Sequence, residues 1–163
     1  MNRLKLALIG CGRISGNHIK AILDNYEGAE LVSVCDILKN KAELKADEYL
    51  IKLKEKGVTT AKPNIYTDYR EMLQKEGINT CIICTELGYH AEISLYCLNL
   101  KKHVLVEKPM AMSIFDADSM IQTAQMNNLK LAVCHQNRFN PPIQKLRKEI
   151  DKRRFGRIFA GTA

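Results

Sequence analysis

Leu4-Lys5-Leu6-Ala7-Leu8-Ile9-Gly10-Cys11-Gly12-Arg13-Ile14-Ser15-Gly16 is the stretch whose reading decides the fold. A short apolar run stops at Gly10, glycines recur at Gly12 and Gly16, and a helical pattern follows. The stretch therefore predicts a strand, a tight turn and a helix N-terminus. The first amides of a helix lack intrahelical acceptors and carry about half a positive charge, so they attract phosphate. Gly10 would permit the turn, and Gly12 would let the main chain approach a pyrophosphate closely. The third small position of such a fingerprint, Gly or Ala by rule, is Ser15, which is still small enough for close helix–strand packing. On the glycines alone, a plain strand-to-helix turn stays open as the alternative.

Working outward, the pattern of strand, helix, strand repeats. Strands are expected over 4–9, 29–35, 64–66, 79–85, 103–106 and 130–135. Helices are expected over 13–25, 40–56, from 67 or 68 to Gly77 as a C′ glycine, from 91 onward, from a Ser113–Asp116 capping box, and over 143–154. The expected inner faces are Ile14, His18, Ala21 and Ile22 on the first helix, and Ala91, Ser94, Leu95 and Leu98 on the fourth. On the fifth they are Ile114, Ala117, Ile121 and Ala124. Residues 156–163 read as a turn and the opening of another strand. The continuous apolar run Cys81-Ile82-Ile83-Cys84 suits a strand covered on both faces. This order implies an α/β fold, a doubly wound, mostly parallel sheet with right-handed crossovers.

The chain has 163 residues, 46% of them hydrophobic, enough for one well-packed domain. It holds no run of about eighteen apolar residues, so no transmembrane helix is expected. It opens directly on a strand pattern, so no signal peptide is read. The cysteines, Cys11, Cys35, Cys81, Cys84, Cys97 and Cys134, lie mostly in strands or beside apolar residues, which suits reduced, buried thiols and a cytoplasmic protein. Cys81 and Cys84 spell CxxC, but strand positions three apart point to opposite faces, which argues against a shared metal or disulfide. No metal is expected. The net charge of +7 is concentrated: residues 145–157 carry seven basic and two acidic side chains, a local +5. With no aromatic-rich basic motif beside it, this reads as a solvated helix face rather than a nucleic-acid site.

Ligands on such sheets bind beyond the carboxyl ends of the strands, and every unusual loop falls there: Gly10 to Gly12, Asp36, Thr85 to His90, Glu107 to Pro109, and His135 to Arg138. Asp36, twenty-odd residues past the glycines, either accepts hydrogen bonds from ribose hydroxyls or caps the following helix. His18 reads as a packed or hydrogen-bonded side chain near the phosphate site. Lys108, between a carboxylate and a proline, is either an orienting and proton-relaying lysine or an ordinary surface one, and its bond to Pro109 is a candidate for the cis form.

The combination Gly10-Cys11-Gly12-Arg13-Ile14, Val34-Cys35-Asp36, Thr85 with His90, and Glu107-Lys108-Pro109 resembles the N-terminal domain of the glucose–fructose oxidoreductase/inositol dehydrogenase family (Gfo/Idh/MocA) over essentially the whole chain. Within it, the segments 84–92, with Glu86 where many members have Pro, and 136–140 look most like the UDP-N-acetylglucosaminuronate 3-dehydrogenases of bacterial surface-polysaccharide (lipopolysaccharide) synthesis. The resemblance implies NAD, favoured over NADP by the Asp36 carboxylate. It implies a cofactor on Gly10, Cys11, Gly12, Arg13, Ile14 and Asp36, with Thr85, Glu86, His90, Glu107 and Lys108 on its nicotinamide side. Lys108 would be catalytic and contact the sugar, joined by Asn137 and Arg138. The implied substrate is a nucleotide sugar, with no nucleic-acid or membrane partner, and a homo-oligomer would form only in the full-length enzyme. Members are roughly twice as long, so residues 1–138 would form the dinucleotide-binding domain and 139–163 the connecting helix and first strand of a substrate domain. Such a fragment would be inactive by itself. An inositol or polyol dehydrogenase of the same family, or a non-catalytic NAD-binding module, are the alternatives.

Overall fold

A computed structural model describes residues 3–74 and 77–161. Six strands, β1 (Leu4–Ile9), β2 (Ala29–Cys35), β3 (Asn64–Tyr66), β4 (Thr80–Ile83), β5 (His103–Val106) and β6 (Leu131–Val133), form one sheet in the order β3-β2-β1-β4-β5-β6. Every neighbouring pair is parallel. The helices are α1 (Ser15–Asp24), α2 (Lys39–Glu55), α3 (Tyr69–Leu73), α4 (His90–Asn99), α5 (Ile114–Met126) and α6 (Pro141–Asp151). Short 3-10 turns stand at Leu87–Tyr89 and Gln136–Phe139.

The strands are apolar on both faces because helices cover both. Leu6 and Leu8 of β1 pack with Ile19 and Ile22 of α1 and Ala46, Tyr49 and Leu53 of α2. Ala7 and Ile9, one residue out of phase, pack with Met72, Ile93, Leu98 and Met120 on the other side. Each large aliphatic side chain so enclosed contributes about 1.5–3 kcal/mol. Cys81 falls in the second cluster and Cys84 in the first, on opposite faces as strand geometry requires. All six thiols are free. Within α2, the hydroxyl of the fully buried Tyr49 accepts the Leu31 amide at 3.3 Å and locks the helix to β2.

Several sequence expectations shift. Helix α1 starts two residues later than expected and buries Ile19 and Leu23, whereas Ala21 is exposed. The inward side of α4 is His90, Ile93, Ser94, Cys97 and Leu98, with Ala91 and Leu95 only partly covered. On α5 only Met120 and Ala124 are buried, and Ile114 and Ile121 face outward, because this helix lies over the short edge strand β6. Strand β4 ends at Ile83 and β6 spans three residues, both shorter than their apolar runs. The Ser113 cap is present: its Oγ accepts the Asp116 amide at 3.0 Å and donates to the Asp116 carboxylate at 2.7 Å. Gly77 has φ +92°, while the stretch 75–76 of the expected third helix lies outside the described residues. Helix α6 begins at Pro141 and buries no side chain. Residues 156–161 form no strand, and 162–163 lie outside the described residues. No helix among the described residues is long and apolar enough to cross a membrane.

The chain runs outward from β1 through β2 to β3, then returns to place β4 on the other side of β1. That reversal opens a crevice at the carboxyl ends of β1 and β4.

Candidate functional site

The crevice is built on Gly10. Its φ is +91°, and a Cβ there would lie 2.6 Å from the Cys84 carbonyl carbon and 2.7 Å from both the Cys84 oxygen and the Thr85 nitrogen. Only glycine fits, because main chain rather than a movable side chain fills the space. Hydrogen bonds clamp the turn on both sides: the Gly10 amide donates to the Cys35 carbonyl (2.8 Å), and the Cys84 amide to the Ile9 carbonyl (2.7 Å). Gly12 is the opposite case, exposed and with nothing within 4 Å of an added Cβ. No neighbour among the described residues requires glycine there.

Helix α1 opens without a side-chain cap, and the amides of Gly12, Arg13 and Ile14 meet no acceptor among the described residues. Ser15 is fully buried and donates its hydroxyl to the Gly12 carbonyl at 2.6 Å, so this departure from Gly or Ala tightens the turn. The Asp36 carboxylate accepts the Cys11 amide (2.8 Å) on one oxygen and the Leu38 amide (2.9 Å) on the other. The capping position of α2 is Leu38, without a side-chain cap. Asp36 thus braces the glycine turn from the end of β2 and does not cap α2.

Beyond β4, Thr85 is half-buried and Glu86 exposed. His90 is buried, with one ring nitrogen 2.8 Å from the Pro109 carbonyl and the other 3.0 Å from the Thr85 carbonyl. It ties the loop after β4 to the loop after β5. The Lys108–Pro109 bond in that second loop is cis. Glu107 is buried, and its carboxylate meets His18 Nε2 at 2.8 Å and accepts the Lys108 amide at 3.2 Å. Burial pushes the Glu107 carboxyl up, but hydrogen bonds from His18, the Lys108 amide and Cys134 outweigh it, so the group sits below its ordinary value. Burial, then the Glu107 charge, pushes the Cys134 thiol up. Burial, then Asp36, raises Cys11 to about 12; burial, then Asp68, does the same to Cys35. Thiols held protonated in this way are poor nucleophiles.

Lys108 is exposed and lines a cavity of about 150 Å³ together with His135, Gln136, Asn137 and Arg138. The structure therefore brings Lys108, Asn137 and Arg138 together at the carboxyl edge of β5 and β6, while the glycine turn and Asp36 gather at β1 and β2. Sequence reasoning placed His18 near the phosphate site without its partner, Glu107, and gave Cys134 no role at the site. Their common signal was position, since each follows a strand end or opens the first helix.

The family model described as the oxidoreductase family, NAD-binding Rossmann fold, matches residues 4–135. Inositol 2-dehydrogenase of Salmonella typhimurium is 27% identical over 154 residues, covering 94% of this chain and 43% of that protein. The 4-carboxy-2-hydroxymuconate-6-semialdehyde dehydrogenase of Sphingobium is 35% identical over 147 residues, covering 90% and 43%. The crystal structure of the WlbA dehydrogenase from Chromobacterium violaceum, in complex with NADH and UDP-GlcNAcA, superposes with a TM-score of 0.82 at 30% identity, covering 98% of this chain and 43% of that one. The chain thus spans less than half the length of the relatives it matches. A parallel sheet of this order, a glycine turn with open amides at its switch point, and a family match across 4–135 agree: the chain belongs to the Gfo/Idh/MocA oxidoreductases and carries their NAD-binding Rossmann domain.

Proposed function

We propose that the chain is the cofactor-binding part of an NAD-dependent dehydrogenase oxidising a secondary hydroxyl of an anionic sugar, of the UDP-N-acetylglucosaminuronate class, at C3. In this reading residues 1–138 form the dinucleotide domain, and 139–163, whose α6 buries no side chain, lead into a substrate domain. The residues present suit the cofactor: open space over Gly12, uncapped amides on α1, and a carboxylate at the end of β2. The amides of Gly12, Arg13 and Ile14 would hold the diphosphate, with the Cys11 main chain beside it. Each Asp36 oxygen keeps a lone pair for a ribose hydroxyl after accepting one amide.

When bound, NAD supplies the hydride acceptor. Around it, Thr85 and Glu86 form one wall, and His90 fixes that wall against the loop carrying Lys108. Glu107 holds the Lys108 main chain, and Lys108 Nζ orients the reacting hydroxyl and relays its proton. Asn137 and Arg138 take the anionic part of the substrate.

The observation that carries the anionic reading is the lining of the Lys108 cavity, which among the described residues holds two cations, Lys108 and Arg138, and no acidic side chain. A neutral cyclitol leaves Arg138 without a counter-charge. The inositol dehydrogenases among the relatives favour that second reading. The test is NADH formation by full-length protein on UDP-N-acetylglucosaminuronate and on myo-inositol. Turnover of the sugar nucleotide is expected, with Arg138→Ala raising its KM roughly tenfold or more, the weight of a charge-assisted hydrogen bond. Turnover of inositol alone, indifferent to Arg138→Ala, would overturn the reading.

A further inference from the structure

Behind Lys108, three donor atoms of different chemistry converge. His18 Nε2, a Glu107 carboxylate oxygen and Cys134 Sγ all lie within 4.8 Å of one another. Among the described residues, no other group of three or more His, Cys, Asp or Glu side chains packs so closely. They come from α1, from the end of β5 and from the end of β6, so the sheet topology gathers them. His18 and Glu107 are buried and Cys134 is half-buried, which leaves an approach from the sulfur side.

Imidazole nitrogen, carboxylate oxygen and thiolate sulfur are the donors of zinc sites, and three protein ligands leave one position open. Bond lengths of about 2.0–2.3 Å around a tetrahedral ion place neighbouring donors roughly 3.3–3.6 Å apart. The 2.8 Å His18–Glu107 contact and the 4.8 Å limit on the others bracket that spacing, so side-chain shifts of about 1 Å suffice.

We infer that His18, Glu107 and Cys134 form a site for a thiophilic divalent cation of the Zn²⁺ class, with water in the fourth position. On binding, the Cys134 proton leaves to solvent as the sulfur becomes a ligand, and the His18 ring proton passes, by exchange with solvent, to Nδ1, so that Nε2 is free to ligate. The Gln136 amide oxygen, 3.9 Å from Cys134 Sγ, is placed to accept from the bound water. The inference is independent of which hydroxyl the enzyme oxidises.

The test is titration of the purified, reduced chain with Co²⁺, whose bond to a thiolate gives a near-ultraviolet charge-transfer band. One equivalent should bind with that band, and Zn²⁺ should displace it. In Cys134→Ala the band should vanish and affinity fall at least as far as removal of an outer-shell partner would lower it, roughly tenfold to a hundredfold. Cys81→Ala, altered in the core of the other face, should keep it. Cys134→Ser, nearly isosteric, serves if the alanine variant does not fold, and it should also lose the band. No thiolate band in the unaltered chain, or an undiminished one in the Cys134 variants, would overturn the inference. So would equal loss in Cys81→Ala.

Discussion

Gly10→Ala and Gly12→Ala change two glycines of one turn by the same methyl group, and the structure assigns them opposite consequences. At position 10 the methyl carbon would sit 2.6–2.7 Å from main-chain atoms of Cys84 and Thr85, on a residue with φ +91°. The left-handed conformation costs a non-glycine residue about 1–2 kcal/mol. Overpacking against main chain that cannot swing aside adds about 1–3 kcal/mol. The sum, about 2–5 kcal/mol, lowers Tm by roughly 10 °C for a domain of this size. At position 12 nothing among the described residues lies within 4 Å, so the methyl group meets open space. Lost freedom in the unfolded chain should leave stability unchanged or raised by up to about 1 kcal/mol. The space it occupies is the one assigned to the dinucleotide diphosphate, so NADH binding should weaken while melting does not. Thermal melts followed by circular dichroism, and NADH calorimetry on both variants, read the two effects separately. Gly12→Ala binding NADH like the parent chain would refute the placement of the diphosphate. Gly10→Ala melting like the parent would refute the account of the turn.

Asp36→Ala removes the carboxylate that the proposed function assigns to the ribose, and calorimetry should show the affinity for NADPH rising relative to NADH by roughly tenfold, since a like-charge contact is relieved. Parent chain binding NADPH as tightly as NADH would remove the role given to Asp36. Glu107, held below its ordinary value of 4.5, stabilises the fold fully above that value, and the contribution is lost as pH falls through the lower folded value. Urea melts between about pH 5 and pH 3 should therefore show stability falling more steeply in the parent chain than in Glu107→Gln. Parallel slopes would contradict the direction of the shift.

What could be read in advance was local. The 4–16 stretch carries its turn and its helix within about a dozen residues; the structure sets the turn at Gly10, starts the helix at Ser15, two residues later than read, and leaves open space over Gly12. Buried-strand runs such as 81–84 are equally local, since coverage on both faces removes any alternation. The faces of surface helices were less legible, because periodicity gives a stripe but not what the stripe meets. On α5 the apolar positions outnumber the surface that a three-residue edge strand offers, so Ile114 and Ile121 stay outside. Least legible were contacts made by chain crossing. His18 and Glu107 are 89 residues apart, and Asp36 reaches Cys11 across 25. No spacing rule predicts the first pair, and the spacing past the glycines brings Asp36 to the turn without naming the Cys11 amide as its partner. The second follows once β2 is known to lie beside β1, and the first once β5 is known to lie just beyond β4, because carboxyl ends of parallel strands in one sheet end at one rim. The site is therefore a property of strand order: each side chain at that rim is polar for a local reason, and the sheet converts separate loop ends into a single crevice.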